Sequence, residues 1–346
     1  MKTILFCGGG SAGHVIPNIA LIEYLKDRYN CVYAGTKDIE MDICATNHVE
    51  FFEFDAVKLN RGKFLGNLAI PFRLLRSISE CKKIVERVKP SLIFCKGGYV
   101  SLPVAIAGKR AGVPVITHES DVRAGLANKI IAKYCKKVFC TFESTAKTFR
   151  NGVFVGTPMR KGLFEKDRVQ ARRYFGLDMR PTILVFGGGG GSKIINSTLR
   201  QVVADVCKNF NVVHVCGKGN LVQSNIYGYK QVEFVDDMGL AYACCDVAVA
   251  RCGSNSANEL IALKTPTLFI PLENKSTRGD QVDNANYFLE RKLCHVLREN
   301  CLNEQTLKNG IDELFGDKGL KTRLSTYRGR NANKRIFEEI ERIIIK

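Results

Sequence analysis

No uninterrupted apolar run in this chain approaches the roughly 20 residues that a membrane-spanning helix requires, so a helical integral membrane protein is excluded and a soluble or peripheral one is expected. Metal-binding patterns are also missing. The 14 cysteines include no CxxC, the 5 histidines (His14, His48, His118, His214, His295) never stand at i, i+4, and Asp236-Asp237 is a lone acidic pair, which argues against a tightly bound metal. Several cysteines (Cys7, Cys95, Cys216, Cys245) fall in or beside apolar strands, as the reduced thiols of a cytosolic protein do. The first residues, MKTILFCGGG, lack the longer apolar stretch and cleavage site of a signal peptide and read as a first strand. Acidic residues are scarce, 34 against 52 Lys and Arg, and the formal charge of +18 implies an anionic partner. A nucleic-acid-binding protein is a rival reading of that charge, but no recognition motif or repeated aromatic platform accompanies it, so nucleic acid is not the expected partner. An anionic membrane face and a phosphorylated substrate remain.

What is present is an α/β pattern in duplicate. With 346 residues, 45% of them apolar, the chain is long for one core and suits two domains. Thr3-Ile-Leu-Phe-Cys runs into Gly8 to Gly13 and a helix that Pro17 is expected to open. Thr182-Ile-Leu-Val-Phe runs likewise into Gly187 to Gly191, Ser192 and an amphipathic helix. Ser91 to Cys95 before Gly97-Gly98 is matched by Asp246 to Ala250 before Gly253, and Gly112-Val-Pro-Val-Ile-Thr by Lys264-Thr-Pro-Thr-Leu-Phe. Continuous apolar strands alternating with helices require a parallel, doubly wound sheet in each half, because helices cover both faces. The expected division is 1–157 and 158–330 as two Rossmann-like domains, with 331–346 as one helix packing back across the hinge. Ligands of such sheets bind at the carboxyl ends of the strands, so two facing domains are expected to hold the site in the cleft between them.

The densest chemistry runs from Ala250 to Ala285: a strand, a tight loop, a helix, a second buried strand (Thr267 to Pro271) and a polar loop. Amides of Ser254, Asn255 and Ser256 at the helix start are unpaired donors at the positive end of the dipole, which favours a phosphate. Glu259 follows, and Arg278, Asp280, Gln281 and Asn284 supply the donors and acceptors that a sugar requires. Phosphate followed by polyol points to a nucleotide-sugar. The same residues also fit a capping box, Ser256 at the N-cap with Glu259 reaching back to its amide, which needs no ligand. In the first half, Lys58 to Lys89 holds nine Lys and Arg against two Glu, interleaved with Phe64, Leu65, Leu68, Ile70, Phe72, Leu74 and Leu75. It reads either as a surface helix with one buried face or as a peripheral membrane patch.

Seven segments, Gly9-Gly-Ser-Ala-Gly-His14-Val-Ile-Pro-Asn18, Gly97-Gly-Tyr-Val-Ser101, His118-Glu-Ser-Asp121, Gly125-Leu-Ala-Asn-Lys129, Gly156-Thr-Pro-Met-Arg160, Phe234-Val-Asp-Asp-Met238 and the Ala250 stretch, resemble in order and spacing the MurG family, glycosyltransferase family 28. The resemblance implies a GT-B fold, two Rossmann-like doubly wound domains facing across a cleft, at the cytoplasmic face of the cell membrane. It implies inverting transfer of N-acetylglucosamine from UDP-GlcNAc, held by the second domain, to lipid-linked MurNAc-pentapeptide, held by the first, with no tightly bound cofactor. By position, Glu259 would hold the ribose diol, and Phe234 and Val235 the uracil. Arg160, Ser254, Asn255 and Ser256 would lie near the base and diphosphate, Asp280 and Gln281 at the sugar hydroxyls. Gly10, Ser11, Ala12, Gly13 and Asn128 fall on the acceptor side. His14 is the expected general base, its proton affinity lowered by the helix dipole, unless it only holds its loop; Glu119 and Asp121 are the alternatives. The second glycine loop departs from the family's Gly-Gly-Ser-x-Gly, so phosphate contact there falls to amides such as that of Gly189 or to Ser192. Rival readings on the same fold are a transferase for another lipid, such as diacylglycerol, and a UDP-sugar epimerase.

Overall fold

The computed structural model describes residues 1–57, 70–273, 279–327 and 331–345. Its Cα packing separates two units, Met1–Arg160 with Arg330–Lys346, and Lys161–Gly329.

In the first unit, strands β1 (Thr3–Cys7), β2 (Asn30–Gly35), β3 (Phe51–Glu53), β4 (Leu92–Cys95), β5 (Val115–Glu119), β6 (Lys137–Cys140) and β7 (Gly152–Phe154) form one sheet in the order β3-β2-β1-β4-β5-β6-β7. Every pairing is parallel. The connections carry α1 (Ala12–Leu25), α2 (Ile39–Thr46), α3 (Ile70–Val88), α4 (Ser101–Arg110), α5 (Leu126–Ile131) and α6 (Glu143–Ala146). Strand alternation sorts the core: Ile4 and Phe6 enter a cluster with Val15, Ile19 and Leu25 of α1, whereas Leu5 and Cys7 enter one with Cys81 and Val85 of α3 and Val104 of α4.

The second unit repeats the plan. β8 (Thr182–Phe186), β9 (Asn211–Val215), β10 (Tyr229–Val232), β11 (Val247–Ala250), β12 (Thr267–Phe269) and β13 (His295–Val296) lie in the order β10-β9-β8-β11-β12-β13, again parallel throughout. Its helices are α7 (Arg168–Phe175), α8 (Lys193–Val206), α9 (Met238–Cys244), α10 (Ser254–Ala262), α11 (Asp280–Glu290), α12 (Glu304–Gly316) and α13 (Lys318–Thr326). The doubly wound sheets expected from the alternation of apolar strands and helices are both present. In each, the strand order reverses direction beside the first strand, between β1 and β4 and between β8 and β11, and at such a switch point diverging loops leave a crevice.

The last helix, α14 (Asn333–Ile345), belongs to the first unit, where Ile336, Ile340 and Ile343 join the cluster beneath α1. Where the chain leaves this unit and where it returns, it is tied side by side. Thr157 bridges Asn331, Ala332 N–H donates to Thr157 O at 3.0 Å, and Asn333 exchanges hydrogen bonds with both Met159 N (3.2 Å) and Met159 O (2.8 Å).

Two local expectations change. Pro17 does not open α1, which starts at Ala12 behind the extended Ser11, so Pro17 lies in the second turn. The glycine loop tightens directly into helix, and Pro17, beyond the first four amides, removes one intrahelical hydrogen bond from it. The strand expected from Thr267 to Pro271 keeps its ladder only to Phe269. Among the described residues no helix is long and apolar enough to cross a membrane.

Candidate active site

At the first switch point the loop after β1 meets the loop after β4. Gly98 has φ +77°, and a Cβ on it would stand 3.0 Å from Gly9 O and 3.1 Å from His14 Nδ1, so only glycine lets the two loops touch. His14 Nδ1 lies 3.0 Å from Gly9 O and 3.2 Å from Ser11 Oγ. A carbonyl only accepts, so Nδ1 carries the proton and Nε2 is the basic nitrogen of this imidazole. Glu40, fully buried on α2, holds the loop from below, accepting from Gly10 N–H at 3.2 Å, Thr36 N–H at 3.0 Å and the Thr36 hydroxyl.

Beside it runs a polar chain inside the sheet. Lys96 is buried directly after β4 and donates to His118 Nδ1 at 2.8 Å and to Ser120 Oγ. His118 Nε2–H in turn donates to Gly156 O at 2.8 Å, which fixes its tautomer. Burial, reinforced by the Lys96 charge, pushes His118 well below the usual range, and burial brings Lys96 down to about 8 against the pull of Glu119 and Asp121.

Glu119, at the end of β5, accepts from Asp121 N–H (3.0 Å), Gly125 N–H (2.9 Å) and Asn128 Nδ2 (2.9 Å). As a base it would have to give up bonds that shape the loop it starts. Asn128, itself buried, also accepts from Thr117 Oγ1 at 3.2 Å, so its amide is part of that scaffold. Asp121 is half-buried in the same loop, and Arg160 half-buried as the last residue of the unit's first segment.

At the second switch point, Gly191 with φ +73° lies so close to Cys216 O that a Cβ would stand 2.0 Å away, while Gly188, Gly189 and Gly190 are exposed. Ser192 caps α8 and its hydroxyl accepts from buried Arg251 Nη2 at 2.8 Å. Arg251 also donates to Ile270 O at 3.1 Å and pairs with Glu299, joining the loops after β8, β11 and β12. The expected phosphate role of the Ser192 hydroxyl therefore competes with an internal partner.

Ser254, Asn255 and Ser256 are the first three residues of α10, whose N-cap is Gly253. The capping-box alternative fails here, because Ser256 is inside the helix. Glu259 accepts instead from the Tyr242 hydroxyl of α9 at 2.9 Å. Asp280 opens α11 after Gly279, the Gln281 side-chain carbonyl accepts from Leu272 N–H at 3.0 Å, and buried Asn284 donates to Cys252 O at 3.3 Å. Arg278 lies outside the described residues. Phe234 is 65% exposed while neighbouring Val235 is buried, which sets an aromatic face outward in the loop between β10 and α9.

Sequence reasoning missed Glu40, Lys96, Tyr242 and Arg251. A signal existed for two of them: Lys96 and Arg251 are the cations that directly follow the matched strands β4 and β11.

Comparison with known proteins agrees with this architecture. The glycosyltransferase family 28 N-terminal domain matches residues 4–140 and the glycosyltransferase family 28 C-terminal domain residues 182–339. A Clostridium novyi (strain NT) protein is 41% identical over 324 residues, 91% of each chain, and carries the name UDP-N-acetylglucosamine-N-acetylmuramyl-(pentapeptide) pyrophosphoryl-undecaprenol N-acetylglucosamine transferase. A Clostridium botulinum (strain Langeland) protein of the same name is 38% identical over 351 residues, 99% of each chain. The crystal structure of Acinetobacter baumannii MurG shares the fold with a TM-score of 0.76, covering 99% of this chain and 100% of that one at 20% identity. Two doubly wound parallel sheets with glycine loops at their switch points are the GT-B form of a glycosyltransferase. The chain belongs to glycosyltransferase family 28, its MurG branch.

Proposed function

We propose that the chain transfers N-acetylglucosamine from UDP-GlcNAc, with inversion, to the 4-hydroxyl of undecaprenyl-pyrophosphoryl-MurNAc-pentapeptide, a step of peptidoglycan synthesis. The observation that carries this reading is 38% to 41% identity, over 91% to 99% of the chain, to transferases of that name. On the donor side, uracil lies along Phe234 and Val235 and Glu259 accepts from the ribose diol. The diphosphate takes amides at the start of α10 and of the Gly189 loop, with Arg160, and Asp280 and Gln281 meet the sugar hydroxyls. Fixed amides aimed at a departing diphosphate stabilise charge that grows in the transition state. On the acceptor side, Gly10, Ser11, Ala12, Gly13 and Asn128 shape the subsite, and His14 Nε2 takes the hydroxyl proton. The tautomer set by Gly9 O supports this assignment. Asp121 is the alternative base; the three N–H groups on Glu119 count against it.

The protein acts as a peripheral enzyme at the anionic cytoplasmic membrane surface, with α3 as the contact. Support comes from Phe72 and Leu75, 77% and 57% exposed among basic neighbours. The deciding experiment supplies purified protein with labelled UDP-GlcNAc and, in parallel reactions, a short-chain lipid-linked MurNAc-pentapeptide or diacylglycerol. Label in the lipid-linked disaccharide is expected. Label in a diacylglycerol glycoside, or an epimerised UDP-sugar without transfer, would replace the reading with one of its rivals.

A further inference from the structure

We propose that Tyr242 is a positioning residue that fixes the Glu259 carboxylate for the nucleotide ribose, a role that rests on the donor reading above. Tyr242 is 5% exposed and sits on α9, a helix that carries none of the other donor-side residues. Its ring packs edge-on against Phe186, centroids 6.1 Å apart, and Phe186 is the last residue of β8 before the second glycine loop. Its hydroxyl then crosses to α10, where it donates to Glu259 Oε2 at 2.9 Å. Ser256 and Glu259 share one face of α10 at i, i+3. The one O–H donor of the phenol is thereby used inside the protein.

The arrangement has a chemical consequence for the carboxylate. A glutamate on a helix surface has three side-chain torsions to fix before it can accept two vicinal hydroxyls, and ordering such a side chain on binding weakens affinity. A buried phenol whose ring packs against Phe186 of β8 has little of that freedom. With Oε2 bound to it, the carboxylate plane is set before the nucleotide arrives. The same contact couples the ribose site to the end of β8, from which the glycine loop departs.

The test compares UDP and 2′,3′-dideoxy-UDP binding by calorimetry for the wild type, Tyr242→Phe, Glu259→Gln and the double variant, with thermal midpoints recorded. Phenylalanine keeps the contact with Phe186. Tyr242→Phe is expected to weaken UDP by about 3- to 10-fold and dideoxy-UDP by less than about 2-fold, and to add nothing in the Glu259→Gln background, as coupled residues behave. Equal weakening of both ligands, or none, overturns the positioning role and leaves the donor reading standing. A wild type that binds the two ligands equally overturns the ribose reading itself, and the role of Tyr242 with it.

Discussion

Replacing Glu259 with alanine removes a carboxylate that accepts hydrogen bonds contributing about 1.5–3 kcal/mol, so the Kd for UDP-GlcNAc is expected to rise by about 10- to 150-fold. The thermal midpoint should fall by no more than the orphaned Tyr242 hydroxyl accounts for, about 1–3 kcal/mol, because the N-cap of the helix is Gly253 and not Ser256. Normal UDP binding by the folded variant would remove the ribose role of Glu259. For His14→Ala, kcat at saturating donor is expected to fall by about 10²–10⁴-fold with donor affinity nearly unchanged. Turnover within a few-fold of wild type in a folded variant would assign the proton to Asp121, since three N–H groups already occupy Glu119. His14 and Glu259 were legible in the sequence because each stands beside a glycine loop that opens a helix. Glu40 and Tyr242 were not, since each meets its loop only after a separate helix has packed against the sheet. Nothing in the local pattern of Ile39–Thr46 marks Glu40 as the acceptor for Gly10.

Helix α3 carries the prediction at the scale of an element. Its inward face is Ser77, Ile78, Cys81 and Val85; Phe72 and Leu75 point away from that face with Arg73 and Arg76 between and beside them. The preceding residues 58–69, with Phe64, Leu65 and Leu68, lie outside the described residues, so the expected patch is visible only in its helical part. Inserting two large apolar side chains contributes about 1.5–3 kcal/mol each when fully buried, and each nearby cation about 1 kcal/mol before screening. Phe72→Ser with Leu75→Ser should therefore cut sedimentation with phosphatidylglycerol vesicles by at least tenfold at 0.15 M salt and leave soluble turnover intact. Equal sedimentation of variant and wild type would reject α3 as the contact. Elements were the most legible level. Apolar runs of five residues between glycine loops and periodic helices specify parallel strands regardless of what lies far away in the chain. Helix starts were less so, because loop closure and not Pro17 decides where α1 begins.

Across the whole molecule, each unit buries a neutral imidazole: His118 in the first, and in the second His214, pushed down to about 3 by burial and by Arg200. The unfolded chain binds a proton near pH 6.5 that these folded sites refuse, so stability is lost as pH falls below 6.5. Between pH 7 and 5 His214 alone should remove about 2 kcal/mol. His214→Gln should flatten the fall in thermal midpoint over that range, and an unchanged slope would dismiss the assignment. On the alkaline side, burial raises thiols such as Cys31, Cys44, Cys135 and Cys294, which the unfolded chain ionises above about 8.5, so stability falls again. The tie between Thr157 and Asn331 has a consequence for how this protein is made. Residues 161–329 form the second unit without interruption, whereas the first unit must wait for Ile336, Ile340 and Ile343 to leave the ribosome. Those three side chains bury apolar surface that contributes about 5–9 kcal/mol, of the same order as the total stability of a domain, about 5–15 kcal/mol. A nascent chain therefore carries a first sheet that has all its strands but lacks the α14 part of its core, the cluster beneath α1 bare to solvent or a chaperone, through the synthesis and folding of the second unit.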